Sequence, residues 1–345
     1  MSAGGLLDAL RRVGAGNDLS ALEAEAAFAE VLAGGASEAV VAALLTGLHL
    51  KGETADELTG AVAAVRARVE THGLAAAPAR AIDTCGTGGD GANTVNVSTA
   101  TALVVAACGV PVVKHGNRSA SGNSGSAEVL RELGVMVEAE PDVLARCLAE
   151  LGITFLFAPR FHPGLRHAGL VRRQLPFRTV FNLIGPLVNP LAPEYQLVGV
   201  PGQPSARLVA EALARLGTRR AAVVTGGDGL DEVSLSGPTH VLFVENGRVE
   251  PRVWRPDDFG LGHVPVAALK VSGPVESAVR ILRVFDGEFG PDRDVIMANT
   301  AGALHVAGVC GDDLKEGVLL AAEAIDLGRA QRLLERWRAL SRGEA

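Results

Sequence analysis

One change of pattern constrains this chain more than any other feature. Near Ala81, helical spacing of apolar residues gives way to short β-branched runs that alternate with helical ones. Before that point the sequence reads as helices alone. Ser20-Ala21-Leu22-Glu23 and Thr54-Ala55-Asp56-Glu57 both have the capping-box form, in which a hydroxyl accepts an orphan amide and the carboxylate three residues on reaches back. A run with helical spacing follows each, as in Leu58, Val62, Val65 and Val69. Gly34-Gly35 and Lys51-Gly52 mark helix ends. Residues 1–72 therefore form a small all-helical domain.

Beyond it, Ala81–Thr84, Val110–Val113, Val135–Glu138, Ile153–Phe157, Gln196–Val200 and Ala221–Thr225 read as strands. Between them, Ser98–Cys108, Ser126–Leu133, Pro141–Leu151 and Ser205–Leu216 read as helices. The strands are apolar without alternation, which indicates a mostly parallel central sheet covered on both faces. The fold class is thus α/β, with the helical domain attached. The helical, Pro-rich stretch 163–193 interrupts the alternation and is expected to return to the helical domain. The larger domain then comprises 73–162 and 194–345, its tail from Asp313 to Arg342 being one long amphipathic helical stretch.

The bulk numbers exclude several functions. A chain of 345 residues, 48% of them hydrophobic, can bury a large core. Its net charge of −7 argues against a nucleic-acid partner, which usually meets a basic surface. No run reaches the roughly 18 apolar residues needed to cross a bilayer. The first residues, Met1–Val13, carry Asp8 within their apolar part and their arginines after it, the reverse of a secretory signal. Four scattered cysteines, with no Cys-x-x-Cys pair, suit a reducing cytoplasm.

The chemistry concentrates in about 40 residues. Gly86-Thr87-Gly88-Gly89-Asp90 follows the first strand, Asn96-Val97-Ser98-Thr99 opens a helix, and Lys114-His115-Gly116-Asn117-Arg118-Ser119 follows the next strand. Gly86–Gly91 also satisfies G-x-G-x-x-G. A dinucleotide site would need the helix to start at once and an acidic residue at the end of the second strand, and neither is present. Two readings stay open: a plain glycine turn, or a nest of backbone amides facing a phosphate. Ser98 and Thr99 are either ordinary caps or, beside the glycine loop, phosphate ligands at a helix N-terminus. Lys114 suits a point charge on phosphate, although a charge cluster can also be a solvated face. His115 is either structural or catalytic. The small polar residues Ala120-Ser121-Gly122-Asn123-Ser124-Gly125-Ser126 extend the segment as a loop. Asn is scarce, nine in the chain, yet six of the nine are Asn93, Asn96, Asn117, Asn123, Asn182 and Asn189. Their persistence around these segments suggests a need for side-chain amides.

Two further groups complete the set. Asp231-Glu232, after Thr225-Gly226-Gly227-Asp228-Gly229, reads as a solvated turn or as a Mg²⁺ site of carboxylates, waters and phosphate oxygens. Arg172, in the helical insertion, is a surface arginine or a fork for a planar carboxylate.

These segments, with Leu50-Lys51-Gly52-Glu53-Thr54 and Arg178-Thr179-Val180-Phe181-Asn182-Leu183-Ile184-Gly185-Pro186-Leu187, resemble the anthranilate phosphoribosyltransferase family over nearly the whole chain. The resemblance implies transfer of a phosphoribosyl group from phosphoribosyl diphosphate (PRPP) to the amino group of anthranilate, with Mg²⁺, as the second step of tryptophan synthesis. It implies PRPP contacts at Gly86, Gly89, Asp90, Thr94, Asn96, Val97, Ser98, Thr99, Lys114, His115, Gly116, Asn117, Arg118, Ser119, Ala120, Ser121, Gly122 and Ser126. Anthranilate would meet Gly86, Asn117 and Arg172, and Mg²⁺ would meet Ser98, Asp231 and Glu232. Lys114, Asp90 and Arg172 are the implied catalytic positions. A cytoplasmic homodimer joined through the helical domain is also implied. Two rival functions are a pyrimidine nucleoside phosphorylase, disfavoured by the Lys114–Ser119 segment and Arg172, and a non-catalytic nucleic-acid-binding relative, disfavoured by the charge.

Overall fold

The computed structural model describes residues 5–118 and 125–344. It has a small helical N-terminal domain and a larger α/β domain. The first four helices are α1 (Leu6–Gly14), α2 (Ala21–Leu32), α3 (Glu38–Lys51) and α4 (Ala55–Arg66). Both capping boxes form, Ser20 with Glu23 and Thr54 with Glu57. Glu57 does a second job: its buried carboxylate accepts from Leu19 N at 2.9 Å and from Lys51 Nζ at 3.1 Å, tying three helix ends together. Gly52 ends α3 at φ +87°, a left-handed backbone that a side chain would strain.

The larger domain follows in chain order as β1 (Ile82–Asp83), α5 (Val97–Ala107), β2 (Val112–Gly116), α6 (Ser126–Glu132), α7 (Pro141–Leu151), β3 (Ile153–Phe157) and α8 (Ala158–Phe161). Next come α9 (Arg166–Gln174), β4 (Tyr195–Gly199), α10 (Gln203–Arg215) and β5 (Arg220–Gly226). The last elements are β6 (Thr239–Glu245), β7 (Arg248–Trp254), α11 (Pro274–Phe285), α12 (Pro291–Val306), α13 (Leu314–Asp326) and α14 (Arg329–Ser341). Among the described residues, seven strands form one sheet in the order β3-β2-β1-β4-β5-β6-β7. The first five are parallel, and β6 and β7 add an antiparallel hairpin at one edge. Every residue of β2, β3 and β4 is buried, as expected where helices cover both faces.

Each face has its own core. Ile82, Val112, Phe155, Leu197 and Val224 pack under α5, α12, α13 and α14. Val198, Val200 and Val223 pack on α10, and that core runs without a break into the helical domain through Leu58, Val62 and Phe28. Ala168 and Val171 of α9 join the same core, beside α2 and α3.

Several sequence expectations change. Val135–Glu138 forms no strand, although Val135 and Val137 are buried and their neighbours exposed. That alternation arises under α14, where Ser341 Oγ accepts from Met136 N at 3.0 Å, while β3 already occupies the outer side of β2. The second strand starts two residues late, after Pro111, and extends through Lys114, His115 and Gly116. The long tail helix is two helices, broken where Gly328 turns to φ +64°. The sequence reading omits the β6–β7 hairpin, although Asn246-Gly247 between two β-branched runs is a strong hairpin signal. No helix among the described residues is long and apolar enough to cross a membrane.

Candidate active site

Strand order places the site. From β1 the chain moves outward to β2 and β3, then returns to add β4 on the other side of β1. The crevice at the carboxyl ends of β1 and β4 is the topological switch point, where open α/β sheets bind ligands. Glycines line it. A Cβ at Gly86 would sit 2.9 Å from the Gly199 carbonyl oxygen, and one at Gly199 would run into the backbone of Asp231. With both side chains absent, the loops after β1, β4 and β5 close on one another. Thr87 N donates to Gly199 O at 2.8 Å and fixes that contact.

The glycine loop turns away from β1 with Gly88, Gly89 and Gly91 at φ +67°, +90° and +72°. The Asp90 carboxylate accepts from Ala92 N at 3.0 Å. The loop is then held from below: Val95 N donates to Leu269 O, Val271 N to Asn93 O, and Thr94 bridges Lys270. Arg178, from the segment after α9, donates through Nη1 to the carbonyls of Gly88 at 2.9 Å and Gly89 at 3.2 Å.

Asn96 caps α5, its side chain accepting from Thr99 N at 3.0 Å, while its own N–H donates to the buried Ser277 Oγ at 2.9 Å. Ser98 lies on the same first turn, and its Oγ donates to Asn96 Oδ1. Lys114, almost wholly buried, reaches across the end of β2 to Ser98 Oγ at 3.3 Å and to Thr84 O and Oγ1 at 3.4 Å each. Val97 and Thr99 are buried beneath them.

Asp231 and Glu232 arrive from the loop after β5. Burial first, and then the neighbouring Asp90 carboxylate, push Asp231 up to about 7, although Gly88 N–H favours its charged form. Burial and the Asp231 charge push Glu232 well above the carboxylate range, against the pull of Lys114 and the Ser98 N–H. Asp90, Asp231, Glu232 and Lys114 thus share one crevice, with carboxylates that repel one another. The loop carrying the acidic pair is held by Asn299 of α12, wholly buried, which accepts from Val233 N and donates to Val233 O, both at 2.9 Å. Among the described residues no three acidic, histidine or cysteine side chains form a complete metal cage. Carboxylate and hydroxyl oxygens with room for other ligands suit a hard cation that keeps part of its hydration.

The floor is a buried network. Asp83 accepts from His115 N at 3.2 Å and from Asn189 Nδ2 at 2.8 Å, and Asn189 Nδ2 also donates to Val113 O at 2.7 Å. Burial lifts Asp83 to about 6 against the opposing pull of Lys114. The His115 ring turns away from the crevice. Its Nδ1 lies 3.0 Å from Gly185 O, and its ring meets His162 at 5.2 Å between centroids. Gly116 ends β2 tightly, since a Cβ there would strike Ser126 Oγ and the Phe155 ring. Asn117 O accepts from Ser126 Oγ at 3.4 Å, and Arg118 pairs with Glu138 at 3.3 Å. Ser119, Ala120, Ser121, Gly122 and Asn123 lie outside the described residues. Arg172 is half-buried on α9, its guanidinium 5.2 Å over the Phe181 ring and its Nη2 donating to Phe181 O at 3.4 Å.

The glycine loop, Asn96, Ser98, Lys114, Asp231 and Glu232 therefore converge, while Arg172 stands against Phe181 and Arg118 against Glu138. Asp83, Ser277 and Asn299 escape the sequence reading, which names Asn189 and Arg178 without giving either a supporting role. Asp83 carries a signal, as an acid inside an apolar strand, and Asn189 stands out among scarce amides.

Two family models together span most of the chain. The glycosyl transferase family helical bundle domain matches residues 7–69, and the glycosyl transferase family a/b domain matches 78–331. The anthranilate phosphoribosyltransferase of Thermomicrobium roseum is 49% identical over 336 residues, covering 96% of each chain. This chain belongs to the anthranilate phosphoribosyltransferase family. The crystal structure of the Thermus thermophilus family member is 40% identical, with TM-score 0.90, covering 97% of this chain and 99% of that one. The Saccharomyces cerevisiae family member is 28% identical and covers 98% of each chain. It has been solved in complex with PRPP and Mg (TM-score 0.89) and in complex with 4-fluoroanthranilate (TM-score 0.87).

Proposed function

We propose that this chain transfers the 5-phosphoribosyl group of PRPP to the amino group of anthranilate, releasing diphosphate. The observation that carries this reading is the crevice at the switch point. There the buried Lys114, the N-terminus of α5, the glycine loop and the acidic pair meet. The bond from ribosyl C1 to the diphosphate oxygen breaks, and a bond from C1 to the anthranilate nitrogen forms. The nitrogen's proton leaves to solvent. Negative charge grows on the departing diphosphate, so catalysis comes from positioning and from fixed dipoles and charges. Lys114, Ser98, Asn96 and the amides of Gly86–Asp90 would hold the diphosphate, with Thr94, Asn117, Arg118 and Ser126 around it. The arylamine attacks as a neutral nucleophile, and no general base is assigned.

The oxygen donors of Ser98, Asp231 and Glu232 fit Mg²⁺, because a cation there would offset the burial and the carboxylate repulsion that lift both acids. When bound, Mg²⁺ would supply positive charge to phosphate oxygens. Arg172, with Gly86 and Asn117, would take the anthranilate carboxylate. The yeast family member's binding of PRPP, Mg and 4-fluoroanthranilate supports this assignment.

The domain division is placed at 1–72 with 163–193, against 73–162 with 194–345, supported by the packing of α9 on α2 and α3. A homodimer through the helical domain is supported by Leu7, Leu22 and Leu50, exposed at 57%, 72% and 79%. Four free cysteines support a cytoplasmic setting. The deciding experiment follows loss of anthranilate fluorescence with PRPP and Mg²⁺. Loss dependent on all three components is expected, and no loss with folded protein would overturn the reading.

A further inference from the structure

We infer that Arg178 is a positioning residue that ties the glycine loop of the PRPP site to the segment carrying the acceptor-side arginine. The inference rests on the donor and acceptor sites proposed above.

Two observations carry it. First, Arg178 Nη1 donates to two consecutive carbonyls of the loop, Gly88 O at 2.9 Å and Gly89 O at 3.2 Å. Second, its guanidinium occupies the space where a side chain at Gly89 would project, so a Cβ there would run into it. Gly89 is thus favoured by its φ of +90°, and its lack of a side chain leaves room for the arginine laid on it. Arg178 lies six residues beyond Arg172, on the stretch that leaves α9 and enters the turn Val180–Asn182. That turn is anchored by Thr179 N donating to Asn182 Oδ1 at 2.9 Å, and its Phe181 supports Arg172 through both ring and carbonyl. Contacts at either end, joined by the chain through this turn, therefore link Arg172 and Phe181 to Arg178 and Gly88-Gly89.

The bonds have a direction that matters. The carbonyls of Gly88 and Gly89 accept from Arg178, so the N–H groups of the same trans peptide units, those of Gly89 and Asp90, point to the opposite side. The Gly88 N–H, in the unit just before them, favours the charged form of Asp231. Arg178 holds the carbonyl side of the loop, which leaves the amide side free to face the acidic pair and an anion. Without it, three glycines at positive φ would sample many conformations, and the cost of ordering them would fall on PRPP binding.

The test compares wild type with Arg178→Ala and Arg178→Lys. Three readouts are used: amide hydrogen exchange over residues 86–92 without substrate, PRPP Kd by calorimetry with Mg²⁺, and the anthranilate KM. Arg178→Ala should speed exchange of the loop amides at least fivefold. It should also weaken PRPP about tenfold and raise the anthranilate KM, with Tm within about 2 °C of wild type because the side chain is exposed. Arg178→Lys, which can still donate to the carbonyls, should recover most of the PRPP affinity. Unchanged loop exchange in Arg178→Ala would overturn the inference, and so would a raised anthranilate KM at unchanged PRPP Kd, which would make Arg178 a direct acceptor contact. If wild type fails to bind PRPP, the functional reading fails instead, and the exchange experiment still decides whether Arg178 orders the loop.

Discussion

At the scale of single residues, the floor of the crevice depends on buried polar groups whose partners are fully specified. Asp83 accepts twice, from a main-chain N–H and from the Asn189 amide, while that amide also donates to Val113 O. Asp83→Asn removes a buried charge but sets one amide donor against another. We expect destabilisation of about 1–3 kcal/mol at pH 7.5, because a buried donor left unpaired costs more than the charge removed. Urea unfolding of the variant checks this, and a more stable variant would show the charge to be the dominant cost. His115 and His162 face each other in the same region, and burial holds them neutral, lowered to about 3 and about 4. Their ordinary value is 6.5, so below that pH the unfolded chain binds protons that the folded chain refuses. Each ring therefore subtracts stability as pH falls from about 6.5 to its folded value, by up to about 1.4 kcal/mol per unit. His162→Gln should flatten the stability profile between about pH 6 and 4.5 by roughly that slope. An unchanged slope would mean that His162 takes up its proton in the folded state. Asp83 acts in the opposite sense in this range, since its raised value lets the folded state take up a proton first.

At the scale of elements, two loops at the strand ends are each held by a side chain from a distant helix or turn, the glycine loop by Arg178 and the acidic loop by Asn299. Asn299 of α12 pairs with both main-chain groups of Val233 and so carries Asp231-Glu232. Its Nδ2 also donates to Val295 O at 2.9 Å, so both of its N–H donors are used. Asn299→Ala should cost about 1–3 kcal/mol in stability. It should also raise the Mg²⁺ concentration for half-maximal activity several-fold, with Lys114 and the glycine loop undisturbed. Retention of the wild-type Mg²⁺ requirement would show that the loop keeps its shape unaided. The same scale shows what is legible in the sequence. Helix caps at Ser20 and Thr54, the strand before Gly86 and the helix after Asn96 are all readable, because each depends on neighbours within a few residues. The β6–β7 hairpin carries its signal in Asn246-Gly247, which the strand-helix alternation obscures. Val135–Glu138 misleads, since burial alternating under a helix looks the same in sequence as burial in a sheet.

At the scale of the molecule, one core joins the helical domain to a sheet face, while the crevice lies where loops from the sheet approach the insertion after α9. Ligand that binds only the folded state stabilises it by mass action, about 2.7 kcal/mol at 100 times Kd. For a chain of this length that shifts Tm by about 4 °C. PRPP with Mg²⁺ should produce such a shift, and PRPP with a chelator should produce much less. Equal shifts in both conditions would argue against a cation held by Asp231 and Glu232.

The sequence by itself determined the helical beginning, the parallel sheet, the glycine turns and the chemical types gathered around them. Those follow from periodicity, capping and the φ freedom of glycine, which act between near neighbours. Only the tertiary structure decided that Asp231-Glu232 would stand against Asp90, that His115 would turn its ring from the crevice, and that Arg178 would lie on Gly89. Such contacts join residues far apart in the chain, 70 positions for His115 and Gly185 and 89 for Arg178 and Gly89. Which of many possible partners meet is settled by strand order and by helix packing on the sheet, and no local pattern encodes either.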